Sequence, residues 1–188
     1  MTLLMHIKEP EITARYHDII AGTVLGGSSI TKPARGKNSY LSMRSKNNLW
    51  LEYKAQELSV WASTEPFTIE KTLRWHSLCY PVFNRFRDVF YRDGQRCLEW
   101  DTLEHLRLHD VGLAIWYGDC GSYRNGKIVL KTHIWGQKGT GVIAEYFSAI
   151  GCAGVVRQEK KCWRFVMEDR NAQRFLELVL PHLPPFMA

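Results

Sequence analysis

After Thr13, apolar positions three and four apart put Tyr16, Ile19, Ile20, Thr23 and Val24 on one side of a helix reaching residue 26, with Thr13 as its N-cap. The pattern then changes. Between Ser28 and Leu51, two short strand-like stretches flank the turn Pro33-Ala34-Arg35-Gly36-Lys37-Asn38. Asn47 or Asn48 is placed to cap a second helix to about Ala62, with Leu49, Leu51, Tyr53, Leu58 and Trp61 as its core side. A second strand pair ends in Thr72–Leu78, and Pro81 opens a helix through Tyr91. Beyond the connection Tyr91–Trp100 the order recurs. A helix is predicted over 102–118, strands over 122–124 and 127–135, and a helix over 138–150. Strands over 155–157 and 161–167 follow, then a helix over 170–182 stopped by Pro184-Pro185.

This recurrence extends to individual residues. At an offset of 93, Ala21 falls on Ala114, Gly26 on Asp119, Gly27 on Cys120, Ser28 on Gly121 and Ser29 on Ser122. Asn84-Arg85-Phe86 and Gln173-Arg174-Phe175 lie 89 apart, as do Leu41 and Leu130. A period near half the chain length predicts a pseudosymmetric single chain of two αββαββα repeats, 1–98 and 99–188, in an α/β (α+β) fold. Gly22 and Gly26, four apart, make a flat stripe on which another helix can approach closely. Small residues at Ala114, Gly118 and Gly121 predict the facing helix of a pair on the pseudo-twofold axis. Glycine also ends helices, so Gly26-Gly27 reads as a C-cap too, and both roles hold together.

Charge sharpens this picture. The chain has 188 residues, 45% hydrophobic, enough for a sizeable core, and its net charge of +6 favours an anionic partner without naming one. The distribution says more. No acid occurs from Ser28 to Leu51, where Lys32, Arg35, Lys37, Arg44 and Lys46 sit; none occurs from Cys120 to Ala144, where Arg124, Lys127, Lys131 and Lys138 sit. Arg74 and His76 lie on the second strand pair of the first half, and Arg157, Lys160, Lys161 and Arg164 on that of the second. A basic run is commonly a solvated face, but its recurrence in both halves favours a nucleic-acid surface, and a two-stranded ribbon fits the major groove. Seven Trp, eight Tyr and eight Phe exceed what a small core needs, leaving some for the seam or a ligand surface.

Five cysteines without a CxxC pair fit a reducing compartment and do not fit a structural zinc site. The apolar run in Met1–Pro10 is too short for a signal peptide, and no stretch approaches the ~20 apolar residues of a membrane span. The expected location is the cytoplasm or the interior of an organelle, with no membrane partner. No GxxxxGK[ST], GxGxxG or HExxH pattern occurs, so nucleotide hydrolysis, dinucleotide binding and zincin chemistry lack their usual signals. Cys120, with His109 and His133 elsewhere, has no flanking signature of a thiol nucleophile and reads better as a small residue at the helix seam.

The stretch Leu113-Ala114-Ile115-Trp116-Tyr117-Gly118-Asp119-Cys120-Gly121-Ser122-Tyr123 resembles the second motif of the LAGLIDADG homing endonucleases, roughly LAxWYMDDGSY. The weaker copy is Asp18–Ile30, and the likeness runs from about Tyr16 to Phe186. The resemblance implies a homing-endonuclease-like fold with two antiparallel DNA-binding sheets, a monomer on a long double-stranded site, and Mg²⁺-dependent hydrolysis. In that family the acid ending each motif helix holds metal; here Gly27 and Cys120 stand at those positions. A glycine offers only its carbonyl, and sulfur binds Mg²⁺ poorly. Asp119, one residue earlier, is the remaining candidate metal ligand, with capping or solvation as its alternative; on a helix it points about 100° away. The FYxxGxK-like segment Phe90–Arg96 implies Arg96 and Gln95 near the first site, with Lys131 near the second. Arginine, always charged, is a good phosphate partner and a poor proton shuttle.

The expected DNA-contacting set is Ser28, Lys32, Arg35, Lys37, Arg44, Lys46, Arg74, His76, Arg124, Lys127, His133, Arg157, Lys161 and Arg164. A cleavage-deficient DNA binder is the leading reading. A nicking endonuclease using Asp119 or a partner's acids is the second, with Mg²⁺ as its cofactor. A maturase binding structured RNA, or a ribonucleoprotein component, is the third.

Overall fold

A computed structural model describes residues 8–187, so the N-terminal run through Ile7 lies outside the described residues. The first half is built from α1 (Ala14–Leu25), β1 (Ser29–Thr31), β2 (Tyr40–Ser45), α2 (Asn48–Glu57), β3 (Phe67–Ile69), β4 (Thr72–His76) and α3 (Pro81–Phe90). A hairpin of β5 (Tyr91–Arg92) and β6 (Gln95–Arg96) leads to the second half. There follow α4 (Trp100–Leu106), α5 (Asp110–Cys120), β7 (Gly121–Arg124), β8 (Lys127–Lys131), α6 (Gly136–Ala149), β9 (Val155–Glu159), β10 (Cys162–Glu168) and α7 (Asp169–Val179). Each half holds a four-stranded antiparallel sheet, in the orders β1-β2-β4-β3 and β7-β8-β10-β9. The expected duplicated α/β architecture is therefore present.

Thr13 caps α1 as expected, its hydroxyl accepting from Tyr16 N at 3.2 Å, and Asn47 caps α2 through Trp50 N at 3.2 Å. Several boundaries differ from the expected ones. The helix expected to reach Ala62 ends at Glu57, and a separate 3-10 turn carries Ser59–Trp61. Its buried side is Trp50, Leu51, Lys54 and Ala55, whereas Leu49 is exposed. The 102–118 helix is two helices, because Arg107 adopts a left-handed φ of 43° and the chain restarts at His109. The buried Asp18 carboxylate accepts from His109 N at 3.4 Å at that restart. The strand expected over 127–135 stops at Lys131, and His133 lies in a 3-10 turn instead.

One apolar cluster runs through both halves, from Ile19, Val24 and Leu41 to Trp116, Phe147, Phe165 and Phe175. At its centre α1 crosses α5. A Cβ on Gly22 would lie 2.3 Å from Gly112 O, and one on Gly26 would lie 2.3 Å from Asp119 Cβ. The flat stripe on α1 was legible, but its partners on α5 are Gly112, Ile115 and Asp119. Gly118 instead lies against the Trp50 ring, and Gly121 against Tyr117. The seam is also crossed reciprocally: Trp135 Nε1 of the second half donates to Leu25 O at 3.1 Å, and Trp50 Nε1 of the first donates to Asp119 Oδ1 at 2.7 Å. No helix among the described residues is long and apolar enough to cross a membrane.

Candidate nucleic-acid interface and the motif helix ends

Alternation along each strand sends one set of side chains into the core and the other outward. In the first sheet Leu41, Met43, Leu73 and Trp75 are buried, leaving Tyr40, Ser42, Arg44, Thr72, Arg74 and His76 on the outer face. The ladder aligns them in rows: Thr31 beside Tyr40; Ser29, Ser42 and His76; Arg44, Arg74 and Phe67. Lys32, Arg35 and Lys37 lie in the β1–β2 loop, and Lys46 follows β2; all four are exposed. Burial, then the neighbouring Arg74 charge, lowers the His76 pKa, so its ring is neutral at neutral pH.

In the second sheet Ile128, Leu130, Phe165 and Met167 are buried. The outer rows are Arg124, Lys127 and Glu168; Ser122, Val129, Val166 and Val155; Lys131, Arg164 and Arg157. Lys161 lies exposed in the β9–β10 turn, and His133 is exposed just beyond β8. Unlike the first face, this one carries acids. Glu168 pairs with Lys127 at 2.8 Å and with Arg157 at 3.0 Å, and Glu159 pairs with Arg164. The hydrogen bond from Lys127 is the main reason that the Glu168 pKa falls below its ordinary value.

Strand pairing also corrects one equivalence. Ser29 pairs with Ser42 and Ser122 with Val129, so Leu41 corresponds to Ile128, and Leu130 corresponds to Met43. The β7–β8 connection is the two-residue turn Asn125-Gly126, with both residues at positive φ, whereas β1 and β2 are joined by a loop from Lys32 to Ser39. Sequence offsets taken after this point therefore drift. By the same ladder Arg44 corresponds to Lys131 and Arg74 to Arg164.

The two motif ends differ. Helix α1 stops at Leu25, and Gly27 turns the chain with φ +125°, a conformation that L side chains rarely adopt. Arg96 then covers this end: its guanidinium donates to Ser28 O at 2.6 Å and to Gly27 O at 3.2 Å. Burial, and the charge of nearby Arg44, depress the Arg96 pKa without removing its proton. Beside it, Gly27, Ser28, Ser29, Ser42, Met43, Arg44 and Arg74 line a pocket of about 220 Å³, and the buried Arg74 Nε has no partner. Such a pocket suits an anion. Gln95 is exposed on the adjoining hairpin.

Helix α5, by contrast, continues through Asp119 and Cys120. The Cys120 Sγ lies 3.4 Å from Trp116 O, and burial pushes this thiol up to about 12, so it is a thiol at neutral pH. Lys131 is exposed at the end of β8, close enough for its charge to act on the Cys120 thiol. Asp119 meets Lys54 Nζ at 2.6 and 2.7 Å, and its Oδ1 also accepts from Trp50 Nε1. The pair is nearly dry, with side-chain exposures of 3% and 11%.

A divalent metal implied by the sequence resemblance finds no fitting donor set at these ends. Both Asp119 oxygens are occupied by an ammonium, Gly27 O by a guanidinium, and Cys120 offers a buried sulfur, a soft donor that suits Mg²⁺ poorly. No group of three or more His, Cys, Asp or Glu side chains among the described residues could hold a metal. The placement of Asp119 thus departs from the expected metal ligand: the carboxylate faces across the seam rather than toward the sheets' outer surface. Lys54 and Trp50, its partners, were missed because nothing in a helical pattern marks a buried lysine.

Residues 17–175 match the family model described as LAGLIDADG DNA endonuclease family. The chain belongs to this family. Among solved structures, the homing endonuclease I-WcaI bound to its DNA recognition sequence superposes with a TM-score of 0.87 at 18% identity, covering 95% of this chain and 86% of that one. I-DmoI in complex with DNA and Mn gives a TM-score of 0.61 at 10% identity, covering 89% and 97% of the two chains. The N-terminal LAGLIDADG domain of DUF199/WhiA gives 0.55 at 9% identity, covering 92% and 85%. No curated protein sequence matches the chain. At these identities the LAGLIDADG structures show a shared fold, while residue roles at the motif ends rest on this chain's own geometry.

Proposed function

We propose that this LAGLIDADG protein binds an extended double-stranded DNA site as a monomer, laying its two sheets in the major groove, and lacks the carboxylates for metal-dependent cleavage. The observation carrying this reading is the pairing of two outward basic sheet faces with motif ends that hold no free acid. I-WcaI, the structural relative described above, sits on DNA, which supports the same use of the sheets here. Arg44 and Arg74 lie beside Gly27 at the α1 end, and Lys131, paired with Arg164, lies near Cys120 at the α5 end, where cations suit the phosphates of a duplex. The Arg44–Arg74 pocket beside Gly27 then receives a phosphate where the family resemblance implies a metal.

The test is a randomised duplex library incubated with the protein in Mg²⁺, with retained and cut molecules sequenced separately. Enrichment of a site of about 20 base pairs, without cutting and with affinity falling steeply as salt rises, is the expected outcome. Cutting within the enriched site, lost in EDTA and in Asp119→Asn, would replace this reading with a nicking endonuclease. Retention of structured RNA in preference to duplex would replace it with a maturase-like role. The proposed site of action is the cytoplasm or an organelle interior, wherever the target duplex resides.

A further inference from the structure

Equivalent rows of the two sheets carry opposite chemistry. Counted from Gly27 and Cys120, each row begins two residues beyond the motif end. It runs Ser29, Ser42, His76 in the first half and Ser122, Val129, Val166, Val155 in the second. The first row is made of hydrogen-bonding groups; past its serine, the second is entirely valine. These valines lie on the side of the sheet opposite the buried Ile128, Leu130, Phe165 and Met167, so they do not belong to the core layer. Val155 is 48% exposed, Val129 is half-buried, and Val166 lies buried between them.

An apolar strip on a sheet face is ordinarily covered by another element. Here its surroundings are cationic: Lys131, Arg164 and Arg157 form the row on one side, Arg124 and Lys127 part of the row on the other. Cations at the flanks and methyl groups along the middle complement a major groove, where phosphates form the walls and base edges the floor. One apolar group is presented on that floor, the C5-methyl of thymine. Glu168 and Glu159 temper the flanking charge and favour a reader of base edges over a purely phosphate-binding surface.

We infer that the valine row of the second sheet reads thymine methyl groups in its half-site, while the Ser29–Ser42–His76 row reads hydrogen-bonding base edges in the other half-site. This inference rests on the DNA-binding reading above. It makes the two halves of the target chemically unlike although the two halves of the protein are alike in fold.

Deoxyuridine isolates the effect, because it keeps every hydrogen-bonding group of thymidine and lacks only the methyl. A duplex selected from the randomised pool is resynthesised with deoxyuridine replacing thymidine in one half-site at a time. Replacement in the half bound by the second sheet is expected to weaken binding about four-fold per methyl contacted, the scale of burying one methylene-sized group. Replacement in the other half, where the first sheet presents only Phe67 and Ile69 as outward apolar groups, has the smaller effect. The Val129→Ser/Val155→Ser protein, which keeps no side-chain methyl at either position and whose folding is checked by denaturation, loses most of the distinction between thymidine and deoxyuridine. Retention of duplex with no methyl effect, or equal effects in both halves, overturns this inference alone. Failure to retain any duplex overturns the DNA-binding reading, and this inference with it.

Discussion

The ends of the two motif helices began as equivalent positions and now do different jobs. The α1 end is a glycine turn capped by a guanidinium and open to an anion pocket; the α5 end is a continuous helix whose last acid is clasped by Lys54 and Trp50 of the other half. The sheets diverge in the same way: the outer face of the first carries cations without acids, and that of the second carries valines and ion pairs. Between them the seam keeps its close approach of Gly22 to Gly112. Backbone contact leaves no room for variation, whereas a helix end or an outward strand position changes at little cost to the fold.

Separating the clasp from the seam gives the largest expected effect. Lys54→Met leaves Asp119 buried without its counter-charge and is expected to cost about 3–5 kcal/mol in urea unfolding, as for other broken buried pairs. Lys54→Met/Asp119→Leu should recover most of this loss. If Lys54→Met is as stable as wild type, the ion pair is not what holds the α5 end.

The seam itself comes next. Gly22→Ala drives a methyl toward Gly112 O and should destabilise by about 1–3 kcal/mol, the range for overpacking. Gly141→Ala, in α6 with open space around the added methyl, should be neutral or stabilising by about 0.4–1 kcal/mol. Equal effects in the same denaturation series would deny the seam its special closeness.

Removing an acid from the second sheet tests the contrast between the faces. Glu168→Gln frees Lys127 and Arg157, so DNA affinity at low salt should rise, and the slope of log K against log salt should steepen by roughly one to two contacts at ~0.9 each. Lys127→Gln should do the reverse. An unchanged slope in both would mean that this face does not meet phosphate.

The smallest effect belongs to His76. Its folded pKa lies below the ordinary 6.5, so its contribution to stability is present above that value and is lost as pH falls through the folded pKa. Stability should therefore decline with acidification below pH 6.5, and less so in His76→Gln; an NMR titration of the ring gives the pKa directly. A His76 that titrates above 6.5 would show that a nearby anion outweighs burial and the Arg74 charge.

The amino-acid sequence by itself determined the duplication, the order of helices and strands, the glycine stripe on α1 and the loss of acids at positions 27 and 120. All of these are local patterns: apolar spacing, turn residues and a motif whose spacing survives in both halves. Gly22 was readable because a small residue on a helix leaves a gap wherever its partner comes from. That Arg107 would break the expected 102–118 helix was not readable, since nothing about an arginine favours a left-handed backbone. Only the tertiary structure decided that Asp119 faces Lys54, that Arg96 covers the α1 end and that three valines share one outward row. Each of these joins residues far apart in the chain. Their meeting depends on strand register and on the crossing of α1 with α5, which local periodicity does not specify.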